Sequence, residues 1–252
     1  MATSKTSRKT AARKVTAKAP GEAAAPEPGS ARLPSVVSLI TRKLEEDIVL
    51  GRRHPRERLV EQDLCVHFDT HRGDVRLALF ELEKKGIVQR IPNRGAIVRD
   101  LTPQEVTEIY GVREELEVMA VRILPFPVPK EGIERLEAPQ REHSRAVDAG
   151  DLLAVYYSNV SFHRALLGLC GNNCLIETIE SLAQKVSGIR SYAHANPAAL
   201  NDSRRDHIEM LEALRHSRRD ELITLTRRHL EPAAQAYIRA YRQRFGDSSD
   251  GA

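Results

Sequence analysis

The sequence has few cysteines, no long apolar run and no internal repeat. Its three cysteines, Cys65, Cys170 and Cys174, are scattered along 252 residues, and the chain opens without an apolar leader. Because a disulfide framework needs patterned cysteines and an oxidising compartment, we expect a protein of the reducing cytoplasm. No apolar run reaches the roughly 18 residues that a membrane-spanning helix needs, so we expect no membrane partner.

Length and charge divide the chain into unlike parts. With 252 residues it can form two ordinary domains, each with its own core. The formal net charge is +4, but residues 33–99 carry 13 basic and 10 acidic side chains, whereas residues 100–252 carry 19 and 23. This asymmetry favours a polyanionic partner for the N-terminal part.

The first segment, residues 1–32, is predicted to be a disordered basic tail. It is rich in Ala, Lys, Thr, Ser and Pro, and its first 20 residues carry six basic and no acidic side chains. Burial of so few large apolar groups cannot offset the entropy of ordering. The cations can add non-specific attraction to phosphates; the alternative is a solvated extension with no specific role.

The next segment has helical periodicity. Val36, Ile40, Leu44 and Ile48 are spaced four residues apart and predict a helix with one apolar face, which ends near Gly51.

Two shorter helices joined by a tight turn are predicted after it. The first covers about residues 61–67, and the second covers about residues 71–85 with Thr70 as its N-cap. Its apolar stripe leaves three residues on the outer side of the first two turns: Arg72, Gly73 and Arg76. In a helix-turn-helix this second helix enters the major groove of DNA with its N-terminus first. The alternative is that the arginines form an ordinary solvated face.

A predicted β-hairpin follows these helices. The β-branched segments GIVQRI and GAIVRD are joined by PNR, so Asn93, Arg94 and Gly95 lie at or beside the bend. A helix-turn-helix followed directly by a hairpin is a winged helix. At the wing tip, a cation and a glycine permit close approach to the sugar-phosphate backbone.

Residues 50–100 resemble the GntR family of bacterial transcription regulators. The resemblance runs through LGRRHPRERLVEQ, THRGDVRLALFELEKKGIV and PNRGAIV. It implies binding to double-stranded operator DNA through Gln62, His71, Arg72, Gly73, Arg76, Asn93, Arg94 and Gly95. His71 stands where the family usually has Ser or Thr, and Asp74 stands where many members have Pro. A carboxylate near phosphates is unfavourable unless Arg72 or Arg76 neutralises it.

The remainder of the chain is predicted to be entirely helical. Apolar residues recur at helical spacing without strand-like alternation. Six helices are predicted, at about residues 103–124, 130–149, 151–170, 172–194, 197–216 and 219–244. Helices of this number and length form a bundle.

Three histidines in the bundle have suggestive positions. His163 lies four residues after Asn159, so both project from one helical face. His207 and His229 lie about ten residues on either side of a predicted helix break, or roughly 15 Å from the shared turn at 1.5 Å per residue. Antiparallel packing would therefore bring these two side chains level. Such a set suits a divalent first-row metal; the alternative is that each histidine caps or packs locally.

The same residues lie in segments that resemble the FCD ligand-binding domain of the FadR-like branch. These segments are NVSFHRALLGLCGN, RRDHIEMLEAL and TRRHL. The resemblance implies four ligands for zinc, nickel or a similar ion: Asn159, His163, His207 and His229. Asn159 replaces the commoner Asp and so removes one negative charge.

The FCD resemblance also implies a small carboxylic acid as effector. Arg113 matches an inward-facing arginine suited to a carboxylate, although an ion pair with Glu117 is an equal alternative. Six helices rather than seven favour the VanR-like subgroup.

We therefore predict a mainly α protein with a basic tail (1–32), a winged helix-turn-helix (33–100) and an all-helical, six-helix FCD domain (101–247). The predicted function is that of a cytoplasmic, homodimeric transcription regulator that acts as a repressor and responds to a small carboxylate bound at a metal site. A metal-sensing regulator is one alternative. A metal-dependent hydrolase is another, but no HExxH motif supplies a base, so we expect no enzyme.

Overall fold

A computed structural model describes Met1 and residues 35–92, 94–194 and 196–246, without the side chains of Ala193 and His194. The predicted tail lies outside the described residues except for Met1, and so does Asn93 of the predicted wing tip. The described residues from Ser35 onward belong to one compact unit.

The first helix, α1 (Val36–Val49), forms where the four-residue period predicts it. Ser35 caps it by accepting a hydrogen bond from the amide of Ser38 at 3.2 Å. Ile40, Leu44 and Ile48 are buried in the first core, whereas Val36 is exposed.

The predicted pair of short helices is present as α2 (Glu61–Phe68) and α3 (Arg72–Lys84). Asp69 has a φ of 46° and ends α2 in the left-handed region. The N-cap of α3 is His71 rather than the predicted Thr70. The Thr70 hydroxyl instead donates to Oδ2 of Asp74 at 2.9 Å. This hydrogen bond engages the carboxylate that was expected to be unfavourable near DNA phosphates.

The wing is a three-stranded antiparallel sheet rather than a two-stranded hairpin. The strands β2 (Val88–Ile91) and β3 (Gly95–Val98) were predicted, whereas the two-residue β1 (Arg58–Leu59) was not. β3 lies between β1 and β2, and Leu59 pairs with Ala96. A strand of two residues has too short a pattern to be recognised from the sequence.

Gly95 is explained by this sheet. It is buried, its φ is 89°, and a Cβ built on it would lie 2.1 Å from the carbonyl oxygen of Leu59. The sequence predicts that this glycine permits a close approach to DNA, whereas in the structure it permits the close approach of β1.

The C-terminal part is a helical bundle, as predicted. Its helices are α4 (Pro103–Ile123), α5 (Lys130–Ala149), α6 (Leu152–Gly168), α7 (Asn173–Lys185), α8 (Arg190–His194), α9 (Pro197–Arg215) and α10 (Arg219–Phe245). A large core of the bundle contains Phe162, Leu166, Met210 and Leu214.

The fourth predicted helix is interrupted. α7 ends at Lys185, and a 3-10 turn (Ser187–Ile189) separates it from α8. Gly188 lies against α1, since a Cβ added to it would be 3.3 Å from Cγ2 of Ile48. The chain therefore bends where it packs on α1, a tertiary cause that helical periodicity does not reveal. The VanR-like subgroup, which depended on a count of six helices, stays a prediction.

The segment between the winged helix and the bundle is firmly held. The Tyr237 hydroxyl donates to the carbonyl oxygen of Leu101 at 2.7 Å, and Nε of Arg56 lies 2.6 Å from Oδ2 of Asp100. Thr102 and Glu105 then form a reciprocal capping box at the start of α4. Within the described ranges, no helix is both long and apolar enough to cross a membrane.

Candidate functional site

Three histidines from three helices meet inside the bundle. His163 lies on α6, His207 on α9 and His229 on α10, and one ring nitrogen of each lies within 4.8 Å of the others. Nε2 of His229 is 3.0 Å from Nε2 of His163 and 3.3 Å from Nε2 of His207. The predicted level positions of His207 and His229 are therefore present.

These separations match the edges of a metal coordination shell. Imidazole nitrogens bind zinc at about 2.1 Å, so two neighbouring ligands at octahedral or tetrahedral angles lie about 3.0–3.4 Å apart. Both distances to Nε2 of His229 fall in that interval. The three rings are therefore close enough together to share one ion.

An acceptor lies beside the outer nitrogen of two of the rings. Nδ1 of His207 is 3.0 Å from Oε1 of Gln140, and Nδ1 of His229 is 3.4 Å from Oδ2 of Asp206. Gln140 Oε1 is an acceptor, so Nδ1 of His207 carries the proton and its Nε2 presents a lone pair. The carboxylate of Asp206 favours the same tautomer in a neutral His229, and in that tautomer the two Nε2 lone pairs lie 3.3 Å apart. A cation between them would relieve that repulsion, so the residues present fit a divalent metal.

The surroundings favour the neutral, ligating form of His163 and His207. Burial lowers the pKa of both rings well below the usual range, and the nearby Arg190 acts in the same direction. Burial opposes ionisation of Asp206, but its contacts with His229 and Arg228 outweigh this and lower the pKa of the carboxyl. A carboxylate on the outer nitrogen of a ligating histidine orients the ring and raises its basicity.

A cavity of about 130 Å³ lies beside the histidine cluster. Asn159, buried one turn before His163 on α6, lines it together with His163 and His229, as the helical spacing predicts. Arg113 of α4 also lines it and is buried.

Arg113 makes the predicted ion pair with Glu117, and its role in binding an effector stays a prediction. Its Nη2 donates to Oε1 of Glu117 at 2.8 Å, and both side chains are buried. Burial alone would lower the pKa of Arg113, but Glu117 reverses this and raises it. Nε of Arg113 is buried with no hydrogen-bond partner among the described residues. The guanidinium therefore keeps a donor for a ligand while its charge is already compensated.

Two further residues line this cavity and were not predicted from the sequence, His143 of α5 and Arg190 of α8. Nε2 of His143 and Nη1 of Arg190 are buried and have no partner in the described part of the chain. Burial lowers the pKa of His143 to about 4, and burial together with Arg113 lowers the pKa of Arg190. No helical spacing links His143 to the other histidines, and Arg190 lay inside a predicted continuous helix, so neither carried a sequence signal.

A second cavity, of about 200 Å³, lies on the side of the bundle that faces α1. It shares Arg113, His163 and Arg190 with the first cavity, and Glu45 of α1 is part of its wall. The two cavities therefore meet at these three side chains, two of which are guanidinium groups.

The predicted DNA-contacting residues form a separate, exposed surface. Among them, Gln62, His71, Arg72, Gly73, Arg76 and Arg94 are exposed, Gly95 is buried, and Asn93 lies outside the described residues.

The recognition arginines have a carboxylate partner that the sequence analysis missed. Nε of Arg76 lies 3.0 Å from both carboxylate oxygens of Glu61, and Nε of Arg72 lies 3.5 Å from Oε2. Glu61 is the first residue of α2, and the fold brings it to the start of α3. It, rather than Asp74, is the acid that neutralises these arginines.

The chain matches two family models over most of its length. Residues 37–98 match the bacterial regulatory proteins of the gntR family, and residues 108–232 match the FCD domain. The chain belongs to the GntR family and carries an FCD domain. GntR regulators bind operator DNA.

Known relatives of this GntR regulator are transcription regulators rather than enzymes. It is 26% identical to the uncharacterised regulator YdfH of Escherichia coli over 85% of this chain and 93% of that protein. It is 25% identical to the repressor RspR of E. coli over 82% of this chain and 91% of that protein. E. coli McbR/YncC has the same fold, with a TM-score of 0.71 and 21% identity over 83% of this chain and 100% of that one.

We predict that Glu117→Ala destabilises the regulator by about 3 kcal/mol, because it leaves the guanidinium of Arg113 buried without its counter-ion. Glu115→Ala is the control, since Glu115 is exposed on the same helix and pairs with Arg227 at 3.4 Å. It should change the free energy of unfolding by less than about 1 kcal/mol. Denaturant unfolding measures both; equal losses would contradict the view that the Arg113 ion pair is buried and essential.

Proposed function

We propose that this GntR regulator is a homodimeric repressor that releases operator DNA when a small carboxylic acid binds beside a divalent metal in the FCD domain. The observation that carries the effector half of the proposal is the convergence of three imidazole nitrogens within 4.8 Å of one another. They lie at a cavity with several unsatisfied donors.

The metal ligands we propose are Asn159, His163, His207 and His229. Neutral imidazoles suit zinc, nickel and related ions, and Gln140 and Asp206 hold the outer nitrogens of two rings. When bound, the metal would supply a positive centre that attracts a carboxylate oxygen. Since Asn159 is neutral where relatives more commonly have Asp, the protein contributes no negative charge to the four-ligand set.

The effector carboxylate would be held from the opposite wall of the cavity. Arg113 supplies a donor whose Nε is unpartnered, and a guanidinium matches a carboxylate in geometry. Arg190 adds a second guanidinium to the same wall.

A chain of contacts supports coupling between this cavity and the recognition helix. The guanidinium carbon of Arg190 lies 5.9 Å from the ring centroid of Tyr156, and the Tyr156 hydroxyl donates to Oε1 of Glu45 in α1 at 3.4 Å. Oε2 of Glu45 accepts from Nζ of Lys85, the C-cap of α3, at 2.5 Å. We propose this route in addition to the one through residues 100–105, because an anion bound at Arg190 would change the field on Tyr156 and Glu45.

The exposed arginines at the start of α3 support the DNA-binding half of the proposal. Arg72 and Arg76 would exchange their shared partner Glu61 for phosphates and base edges of the major groove. The wing residues, with Arg94 exposed near the hairpin bend, would contact the adjacent backbone or minor groove.

Two winged helices are needed for an inverted-repeat operator, and an apolar stripe on α4 suits a second copy of the chain. Val112, Met119 and Ile123 are exposed on one face of this helix.

Repression is proposed because the relatives RspR of E. coli and NanR of Enterobacter are named repressors.

For DNA binding, we predict that Arg72→Ala combined with Arg76→Ala weakens binding at least about 30-fold, because two major-groove contacts of about 1–3 kcal/mol each are lost. The duplex is one selected by the wild-type regulator from a random library, and fluorescence anisotropy at physiological salt is the measurement. Arg141→Ala with Arg145→Ala removes the same charge from the exposed face of α5 and should have little effect. Undiminished binding by the α3 double variant would overturn the recognition-helix assignment.

For the metal, we predict about one divalent ion per chain in the wild-type protein and its loss in His229→Gln. His216→Gln is the matched control, because His216 is exposed and pairs with Glu212 at 3.4 Å, away from the cluster. Elemental analysis of dialysed protein is the measurement. Equal metal content in the two variants would remove the site. If zinc alone, without any acid, changed DNA affinity, metal sensing would replace the acid as the signal.

For the dimer, we predict that Met119→Glu lowers the mass in solution from that of two chains to that of one, because it places a charge in the apolar stripe of α4. Light scattering across a range of concentrations is the measurement. Ala138→Glu, which adds the same charge at an exposed position of α5, is the control. A dimer that survives Met119→Glu at all concentrations would exclude this surface as the interface.

A further inference from the structure

We propose that the effector is a small hydroxy-dicarboxylate, with one carboxylate at the Arg113 and Arg190 wall and the other at the histidine cluster. This inference rests on the proposed function and names its ligand class. It follows from the charge that the cavity leaves uncompensated and from the hydrogen-bonding groups that it leaves unused.

The two guanidinium groups of the cavity differ in their compensation. Arg113 has a buried counter-ion, Glu117, at 2.8 Å. Arg190 has no described carboxylate oxygen within ion-pair distance, and its buried Nη1 has no hydrogen-bond partner. A buried guanidinium without a counter-ion is costly. One carboxylate at this wall would provide the missing charge and accept from Nη1 of Arg190 and Nε of Arg113 together.

The acids that line the cavity do not provide this charge. Asp206 accepts from Nε of Arg228 at 3.0 Å and faces the outer nitrogen of His229. Asp202 is paired with Arg205 at 2.8 Å. Both carboxylates are already engaged with cations on α9 and α10, so Arg190 is left for a ligand.

The histidine wall has a separate need for negative charge. The proposed ligand set has three neutral imidazoles and the amide of Asn159, so a bound divalent ion would keep its full charge. A monocarboxylate can neutralise charge either at Arg113 and Arg190 or at the metal held by the histidines. A dicarboxylate can satisfy both, which is why we expect a dianion to be selected.

His143 adds a requirement for a hydroxyl group. The Ser158 hydroxyl donates to the carbonyl oxygen of Ala154 at 2.6 Å, so its oxygen accepts from Nδ1 of His143 at 3.3 Å. Nε2 of His143 is then a buried lone pair without a partner, and it lines the cavity. An alcohol on the ligand is a suitable donor to it, whereas a second carboxylate oxygen would be repelled.

The test uses four acids with the same four-carbon chain: butyrate, succinate, 2-hydroxybutyrate and malate. Calorimetry on the zinc-loaded, full-length regulator gives the affinities, and anisotropy with the selected duplex gives DNA release. We expect succinate to bind at least about tenfold more tightly than butyrate. Malate should bind more tightly than both succinate and 2-hydroxybutyrate.

Variants assign the preferences to residues. Arg190→Gln should reduce the succinate-to-butyrate ratio towards one, with Arg141→Gln on the exposed face of α5 as its matched control. His143→Leu should remove only the advantage of malate over succinate. Should Arg190→Gln fail to fold, Asn159→Asp gives a second test, because a negative charge at the histidine wall should lower the dicarboxylate preference.

The outcomes separate this inference from the proposed function. If none of the acids binds or releases DNA, the carboxylate-effector function itself is contradicted. Equal binding of butyrate and succinate with DNA release would overturn only the dicarboxylate inference. A dicarboxylate preference that persists in Arg190→Gln and Asn159→Asp would overturn the assignment of these two walls.

Discussion

The structure depends on an unfavourable electrostatic arrangement that the bundle holds in place. Nε2 of His207 and Nε2 of His229 lie 3.3 Å apart, and the buried Nη1 of Arg190, which lines the same cavity, has no hydrogen-bond partner among the described residues. Burying such groups costs several kcal/mol unless a partner arrives. Apolar packing of α6 and α9 around Phe162, which stacks on His207 with a centroid separation of 4.1 Å, keeps the cluster from opening. The protein is thereby organised to receive a cation and an anion at adjacent positions.

The position of this cavity explains how its occupancy can reach DNA. The break between α7 and α8 lets the chain bend onto α1 and brings Arg190 to the cavity wall. The same side of the bundle contributes Tyr156 and Tyr157, whose hydroxyls donate to Glu45 and Glu46 of α1. Because α1 packs against α3 in one core, a change at the cavity acts on the body that carries the recognition arginines. The winged helix is thus joined to the effector domain by hydrogen bonds to charged side chains as well as by the covalent chain.

Features with local causes could be predicted from the sequence. Helical periodicity gave the positions of α1, α3 and most of the bundle, and the rise per residue placed His207 level with His229. The missed features have tertiary causes. β1 is too short to show a strand pattern. Gly95 is required because the carbonyl of Leu59 lies where a Cβ would be. The bend before Arg190 exists because Gly188 packs on α1. The partners of Glu61 and His143 lie on other helices. No residue spacing therefore predicts the role of either side chain.

The central claim is that the cavity and the DNA surface are two sites of one switch. Thermodynamic linkage requires that a ligand that weakens DNA binding is itself bound more weakly, by the same factor, to the DNA-bound protein. The most direct measurement is calorimetric titration of the zinc-loaded regulator with the tightest-binding of the four acids, alone and with saturating selected duplex. The account predicts a fall in acid affinity of about 5–150-fold on DNA, the range of common allosteric couplings. An acid affinity that is the same with and without DNA would contradict it.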